Sequence, residues 1–330
     1  MTTRLLHILG IDDSDTVKVL QLTPLLRPSN LVYTGNVEVL NLLKDPRLKL
    51  DTVVCGGMRA TDLKVAIPDV ILCAICDPDT NAKSLDVAEK IIATLGKPTL
   101  NHPAAVRKTG RDRIPRMLGR VPGVVVPRTV RFRPKRAADV ARLTSSGAIR
   151  LPFLMRPAGA HGGLGLARVD SADDLEVLDA FALDGRPYYA TEYRDFRSPD
   201  GLYRKHRVIV VGGTPHARHV IISDSWNIHS ESRDVLMAAD AALRAEEEQF
   251  LATFDPAAWP MFERFASLLE LDYFGVDYGI DADGKMVVFE VNACVRAMVG
   301  GVETAYHAAT LAAIKADLVG HIERRAAAET

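Results

Sequence analysis

Asp272–Cys294 reads DYFGVDYGIDADGKMVVFEVNAC, and it has the pattern of two strands joined by a tight turn. Tyr273 to Ile280 is rich in aromatic and β-branched residues, Asp281-Ala-Asp-Gly284 supplies turn chemistry, and Met286 to Val291 is a second β-branched run. Asp277 lies inside the first run. Glu290 and Asn292 close the second, two apart, so a pleated strand turns both to one face. A carboxylate in an apolar strand is costly to bury unless it is paired or holds a cation. Oxygen donors from paired strands suit Mg²⁺, which shares its shell with water and nucleotide phosphates. An EF-hand reading fails, because Gly279 would occupy the first ligand place and the flanks read as strands. A plain hairpin whose Glu290 pairs with an arginine remains open.

Outward from this stretch, the chain has 330 residues, 48% hydrophobic and 25% charged, with a net charge of −1. That length supports two or three lobes. Near neutrality argues against a nucleic-acid binder built on bulk charge. No apolar run reaches membrane-spanning length, and Met1 to Gly10 does not read as a signal peptide, so a soluble cytoplasmic protein is expected. Cys73 and Cys76 have redox-motif spacing but sit in DVILCAIC, a buried-strand pattern; with Cys55 and Cys294 they read as core thiols. His7 and His102 read as structural.

Strands at Arg4–Leu9, Leu50–Cys55, Pro68–Cys76 and Lys97–Leu100 alternate with helices at Asn36–Leu43 and Ser84–Leu95. That alternation predicts a small parallel sheet of Rossmann-like topology. No G-x-G-x-x-G pattern is present here, so NAD is not implied. Thr109–Gly119 carries Arg111, Arg113 and Arg116 and reads as a solvated basic face. A helix is expected over Lys135–Leu143.

Leu151–Val169, LPFLMRPAGAHGGLGLARV, is the second landmark: a strand bearing Arg156, then Gly159, Gly162, Gly163 and Gly165, then a returning strand. Dense glycine lets backbone N–H groups approach an anion, and Arg156 or His161 could add charge. No Gly-Lys-Ser/Thr follows, so this is not a Walker A loop; a flexible hairpin tip without ligand is the competing reading. Pro187–Tyr193 is strand-like and ends in Glu192-Tyr193. Lys205–Val211 and His216–Ile222 form a hairpin around Gly212-Gly213. Ser223–Ser230 is a loop holding Trp226 and His229. Helices are expected over Ser232–Thr253, Pro256–Leu271 and Thr304–Arg325.

Asp277 followed by Glu290-Val-Asn292 resembles the metal-binding end of the ATP-grasp superfamily. From about Asn101 to Gly301 the landmarks fall in that superfamily's order, and they resemble its RimK-like branch. They are most similar to ATP-grasp domains of some bacterial tetratricopeptide-repeat proteins, although no repeat is present here. The phrases that carry the resemblance are Thr109-Gly-Arg-Asp112, Val126-Pro-Arg-Thr129, Arg156 to Gly163, Tyr203-Arg-Lys-His-Arg-Val208, Ser225-Trp-Asn-Ile-His229 and the final hairpin.

The resemblance implies an α/β (α+β) chain with the ATP-grasp fold. A Rossmann-like pre-ATP-grasp domain would span 1–104, a small lobe with the glycine loop 105–190, and a lobe with the metal site 191–330. The Gly159–Gly165 loop with His161 would cover ATP phosphates, and Arg156 would stand where relatives place a lysine. Glu192 and the backbone at Tyr193 would hold adenine. Asp195 or Asp200 would meet the ribose. Arg207 would reach the transferred phosphate, and Arg296, the second catalytic candidate, falls near the presumed acceptor side, where it could instead partner Glu290. Asp277, Glu290 and Asn292 would hold one or two Mg²⁺, or Mn²⁺. His219, Trp226 and His229 fall near the presumed acceptor.

The implied activity is an ATP-dependent carboxylate–amine ligase working through an acyl-phosphate. Its partners would be ATP, a carboxylate and an amine acceptor (amino acid, peptide or small molecule), in a protein that is monomeric or a homodimer. Two other uses of the fold compete: a regulatory module that binds ATP without ligating, and a small-molecule kinase.

Overall fold

A computed structural model of the protein describes residues 2–16, 18–20, 30–32, 35–37, 39–56, 65–163, 165–171, 176–228, 233–297 and 305–328. The N-terminal strand β1 (Thr3–Gly10) begins a parallel sheet. A short antiparallel ribbon, β2 (Lys18–Leu20) with β3 (Asn30–Val32), stands apart from it. The sheet is completed by β4 (Leu48–Cys55), β5 (Val70–Cys73) and β6 (Thr99–Leu100), in the order β4-β1-β5-β6. Every residue of β5 is buried, as a parallel strand covered on both faces requires. One cover is the helix Ala82–Leu95, which buries Leu85, Ala88 and Ile92 along one stripe and ends at Gly96, φ 59°. The other is the C-terminal helix Ala308–Ala327, whose Leu311, Ile314, Leu318 and Ile322 pack with Leu5, Val70 and Leu72. That helix also touches Ile209, Val211 and Tyr273 of the large sheet, so the first and last segments of the chain share one core.

The large sheet opens with β7 (Val124–Val125), a parallel edge. The small lobe follows: β8 (Thr129–Phe132), β9 (Phe153–Pro157), β10 (Ala167–Val169) and β11 (Tyr188–Glu192), antiparallel in the order β10-β9-β11-β8. Phe153, Met155, Val169 and Tyr188 form its core, and the glycine loop joins β9 to β10. The large sheet continues with β12 (Tyr203–Val211), β13 (Thr214–Ser223), β14 (Tyr273–Ile280) and β15 (Met286–Asn292), giving the order β13-β12-β14-β15-β7. Gly212 and Gly213, at φ 54° and 92°, make the tight β12–β13 turn.

Three helix expectations shift. Asn36–Leu43 is helical only over Leu40–Leu43, because the Asn36 side chain instead bridges the N–H and C=O of Gly10 at 2.6 and 2.5 Å. Of Ser232–Thr253, one wide helical turn covers Arg233–Met237, and a second helix restarts at Ala241, where Asp240 accepts from the Ala242 N–H at 2.8 Å. Pro256–Leu271 contracts to Met261–Leu269 after a short turn at Pro256–Ala258. All four cysteines are free, and burial pushes the Cys73 thiol up to about 12. Among the described residues, no helix is long and apolar enough to cross a membrane.

The joint between the first sheet and the large one is Asn101. It is fully buried, in the left-handed region at φ 53°. Its Oδ1 accepts from the Asp272 and Tyr273 N–H groups, each at 3.0 Å, and its Nδ2 donates to the Tyr273 carbonyl at 2.6 Å and to the Ala293 carbonyl. Asparagine tolerates this backbone region better than most residues and carries both donor and acceptor. Asn101→Ala removes the partners of several buried backbone groups and should lower unfolding stability by about 3 kcal/mol or more, read by urea denaturation. A loss under 1 kcal/mol would show that Asn101 is not the joint.

Candidate active site

A row of polar side chains crosses four strands of the large sheet at one level. His219 on β13 faces Arg207 on β12, Arg207 faces Asp277 on β14, and Asp277 faces Glu290 on β15. Both outer pairings slip by one residue here. Arg218 is the extra residue of β13, and Phe289 that of β15. Each bulge re-aims neighbouring side chains, so Arg218 and His219, and likewise Phe289 and Glu290, all border one cleft of about 430 Å³. The cleft separates the large sheet from the small lobe, whose Leu154, Arg156, Gly162 and Gly163 form the facing wall.

Charge is balanced pair by pair along the row. Arg207 grips Asp277 with two parallel bonds, Nε to Oδ1 at 2.5 Å and Nη2 to Oδ2 at 2.6 Å. Burial disfavours the Arg207 cation, but Asp277 raises its pKa above the ordinary value all the same. Glu290 meets Arg111 (Nη2 to Oε1, 2.6 Å) and the His161 ring (Nδ1 to Oε1, 3.5 Å). Burial works against ionising Glu290, yet Arg111 and then His161 outweigh it and hold the carboxyl well below its usual range. Burial, and then Arg207, Arg218, Arg233 and Lys205, push His219 well below the ordinary imidazole value, so it is neutral. Its Nε2 is sealed from solvent and has no hydrogen-bond partner among the described residues.

On the facing wall, burial lowers Arg156 to about 10, and its Nη2 donates to the Ala160 carbonyl within the loop. Gly159, Gly162, Gly163 and Gly165 all have φ between 62° and 74°, so the loop's path depends on residues without Cβ. His161 leaves this loop to donate from Nε2 to Asp77 Oδ2, 2.8 Å away, and that bond chiefly raises its pKa to about 9.

At the hinge, Glu192 accepts from the Arg150 N–H and Nε, and the Tyr193 N–H bonds the Pro152 carbonyl at 2.9 Å. Trp226 stands edge-on to Tyr193, ring centroids 6.0 Å apart, and Arg168 lies 4.2 Å over the Tyr193 ring. Trp226 therefore borders the cleft beside Tyr193.

Several sequence candidates are not brought to the cleft lining. Asp195 is exposed and accepts from Tyr193 Oη and the Arg197 N–H, both at 3.2 Å. Asp200 is exposed and tied to Arg204 at 2.7 Å. Arg296 is exposed, and the arginine that Glu290 meets is Arg111. His229 lies outside the described residues. Gly159 and His161 border a smaller recess beside the cleft, together with Asp77, Glu290 and Asn292. Sequence reasoning missed Arg111, Lys205, Arg218 and Arg233 as cleft residues. Arg111 had been read as part of a solvated face, but only 18% of its side chain is exposed. Lys205 had a legible signal, since it lies two residues from Arg207 on one strand; its Nζ bonds the Ile228 carbonyl at 2.8 Å.

Asp277, Glu290 and Asn292 offer the oxygen donors that Mg²⁺ takes. Asp277 gives both oxygens to Arg207, whereas both contacts of Glu290 fall on Oε1. Among the described residues, no group of three His, Cys, Asp or Glu side chains is placed to hold a metal ion by itself. The donor chemistry fits Mg²⁺, and such a cation would share oxygens with the two arginines.

No family model and no curated protein matches the chain. Solved structures do. D-alanine–D-alanine ligase from Bacillus anthracis is 13% identical, over 98% of this chain and 97% of that one, with a TM-score of 0.53. A RimK domain ATP-grasp protein from Sphaerobacter thermophilus is 16% identical, over 98% and 99%, with a TM-score of 0.51. The ATP-grasp ligase PsnB, complexed with a minimal precursor, is 15% identical, over 97% and 100%, with a TM-score of 0.50. The likeness extends over nearly the whole of each chain, and so this protein has the ATP-grasp fold, shared with a RimK-domain protein among others.

Proposed function

We propose that the protein is an ATP-dependent ligase joining a carboxylate to an amine through an acyl-phosphate. One observation carries the reading: a glycine loop and Arg156 face the row Arg207–Asp277–Glu290 across a single cleft. The loop's backbone N–H groups and Arg156 would bind the phosphates. Glu192 and the Tyr193 backbone would hold the base at the hinge. Arg207, fixed by Asp277, would stabilise charge on the transferred phosphoryl group while a substrate carboxylate oxygen attacks in line. The amine would then displace phosphate from the mixed anhydride. Bound at Asp277, Glu290 and Asn292, Mg²⁺ or Mn²⁺ would neutralise phosphate oxygens. Closing the loop would keep water from the anhydride.

The arginine pairing of both carboxylates favours one second reading, a nucleotide-binding module that does not ligate. ATP, Mg²⁺ and pooled amino acids separate the possibilities. Substrate-dependent release of ADP and phosphate supports the ligase. ATP binding without turnover selects the module, and a phosphorylated product selects a kinase.

Glu290→Gln and Asp277→Asn should each abolish ADP release in that assay. Asp277→Asn should also destabilise the fold by about 1–3 kcal/mol, because it leaves the half-buried Arg207 beside a neutral partner. Full turnover in either variant would remove the row from the chemistry.

Trp226→Ala should weaken ATP binding several-fold while changing the acceptor's KM little, since its contact with Tyr193 favours a role beside the base. The reverse split, measured by steady-state kinetics, would return Trp226 to the acceptor side.

A further inference from the structure

The N-terminal sheet takes part in the cleft through one turn. Asp77-Pro78-Asp79-Thr80 lies between β5 and the helix Ala82–Leu95. It is internally fixed: Asp77 Oδ1 accepts from the Asp79 N–H at 2.8 Å, the Asn81 N–H bonds the Asp77 carbonyl at 3.2 Å, and the Asp13 N–H bonds the Thr80 carbonyl at 2.6 Å. The turn meets the small lobe at three points. Asp77, 4% exposed, holds His161 through Oδ2. Thr80 packs so closely on Gly159 that a Cβ there would come within 2.4 Å of its Cγ2. Asp79 accepts from Tyr189 Oη at 2.9 and 2.8 Å and pairs with Arg131 at 3.1 Å, both on the sheet beneath the loop.

We propose that Asp77 is a positioning residue for the proposed ATP reaction, anchoring the glycine loop through His161 so that the loop spans the cleft beside Glu290. This rests on the proposed nucleotide site. The physical need is plain. A loop with this many left-handed glycines has much conformational freedom to lose. A buried carboxylate, for its part, needs a charge-assisted partner. One bond between residues 84 apart in sequence meets both needs. The contact also explains why His161 sits among glycines: it is the loop's handle, and its second ring nitrogen faces Glu290.

The test combines subtilisin cleavage of the loop in the nucleotide-free protein with Mg-ATP titration of wild type, Asp77→Ala, Asp77→Asn, His161→Ala and the Asp77→Ala/His161→Ala double variant. Both Asp77→Ala and His161→Ala should speed cleavage within 159–165 and weaken ATP binding about tenfold or more, the scale of one charge-assisted bond. The double variant should be no worse than His161→Ala alone. Asp77→Asn keeps the side chain's size and should fall between, which covers the case of Asp77→Ala failing to fold. Unchanged cleavage in Asp77→Ala, or losses that multiply in the double variant, would overturn the anchor. Wild type that binds no ATP would refute the nucleotide site instead, and the cleavage arm would still decide whether Asp77 holds the loop.

Discussion

Asp277 and Glu290 stand opposite each other on neighbouring strands, and two carboxylates so placed repel in a poorly solvated wall. The structure answers with one cation for each. Arg207 comes from the adjacent strand at the same level, and Arg111 comes from the segment that leaves the first sheet. The result is a ladder in which each carboxylate has its own arginine, rather than an acidic patch. Its members depend on one another: removing Arg207 leaves the buried Asp277 anion unpaired, and removing any other member leaves a half-buried charge without its partner. Apolar packing would be the cheaper way to fill this wall, so the ladder's presence points to use rather than to stability.

The ladder also sets the arrangement around it. Arg111 can reach Glu290 only if the chain after Asn101 runs against the end of β15, and Asn101 secures that path through the Asp272, Tyr273 and Ala293 backbone. His161 can reach Glu290 only if the small lobe lies over the same end. Three parts of the chain that are distant in sequence are thus referenced to one carboxylate. The two bulges fall at this level for a related reason. A regular pleat would send alternate side chains to the far face, whereas one extra residue on β13 and one on β15 bring consecutive side chains to the cleft.

What the chain discloses by itself follows from how local each signal is. The β14–β15 hairpin, the glycine loop and the hinge strand were all legible, because strand alternation and turn glycine are written within about ten residues. The partners were not. Arg111 looked like a solvated face, since nothing nearby in sequence shows that Glu290, 179 residues on, lies against it. Asp77 carried no signal beyond a turn after a strand. Bulges have no sequence mark of their own here, so Arg218 was passed over in favour of its neighbour His219. Trp226 offers only its loop membership in sequence, and its contact with Tyr193 is a tertiary feature that no local pattern shows. The break near Asp240 inside an expected single helix was likewise hidden by good helix-forming composition on both sides.

Charge bookkeeping around the cleft gives the last step. Seven cationic side chains line it (Arg111, Arg156, Arg194, Lys205, Arg207, Arg218 and Arg233) against four carboxylates (Glu192, Asp234, Asp277 and Glu290), and Asp281, Asp283 and Glu247 behind the lining pair with Arg194 and Arg233. Two of the cations resist being there: burial lowers both Arg156 and Lys205 below their ordinary values, and each donates to a backbone carbonyl, Ala160 and Ile228. A carbonyl satisfies a hydrogen bond but does not offset a charge. Cations kept at that cost, on the wall that also carries the glycine loop and next to the carboxylate row, form a field that draws in a polyanion. A nucleotide triphosphate has the charge to relieve both residues at once, and the hinge at Glu192 and Tyr193 is where its base would rest.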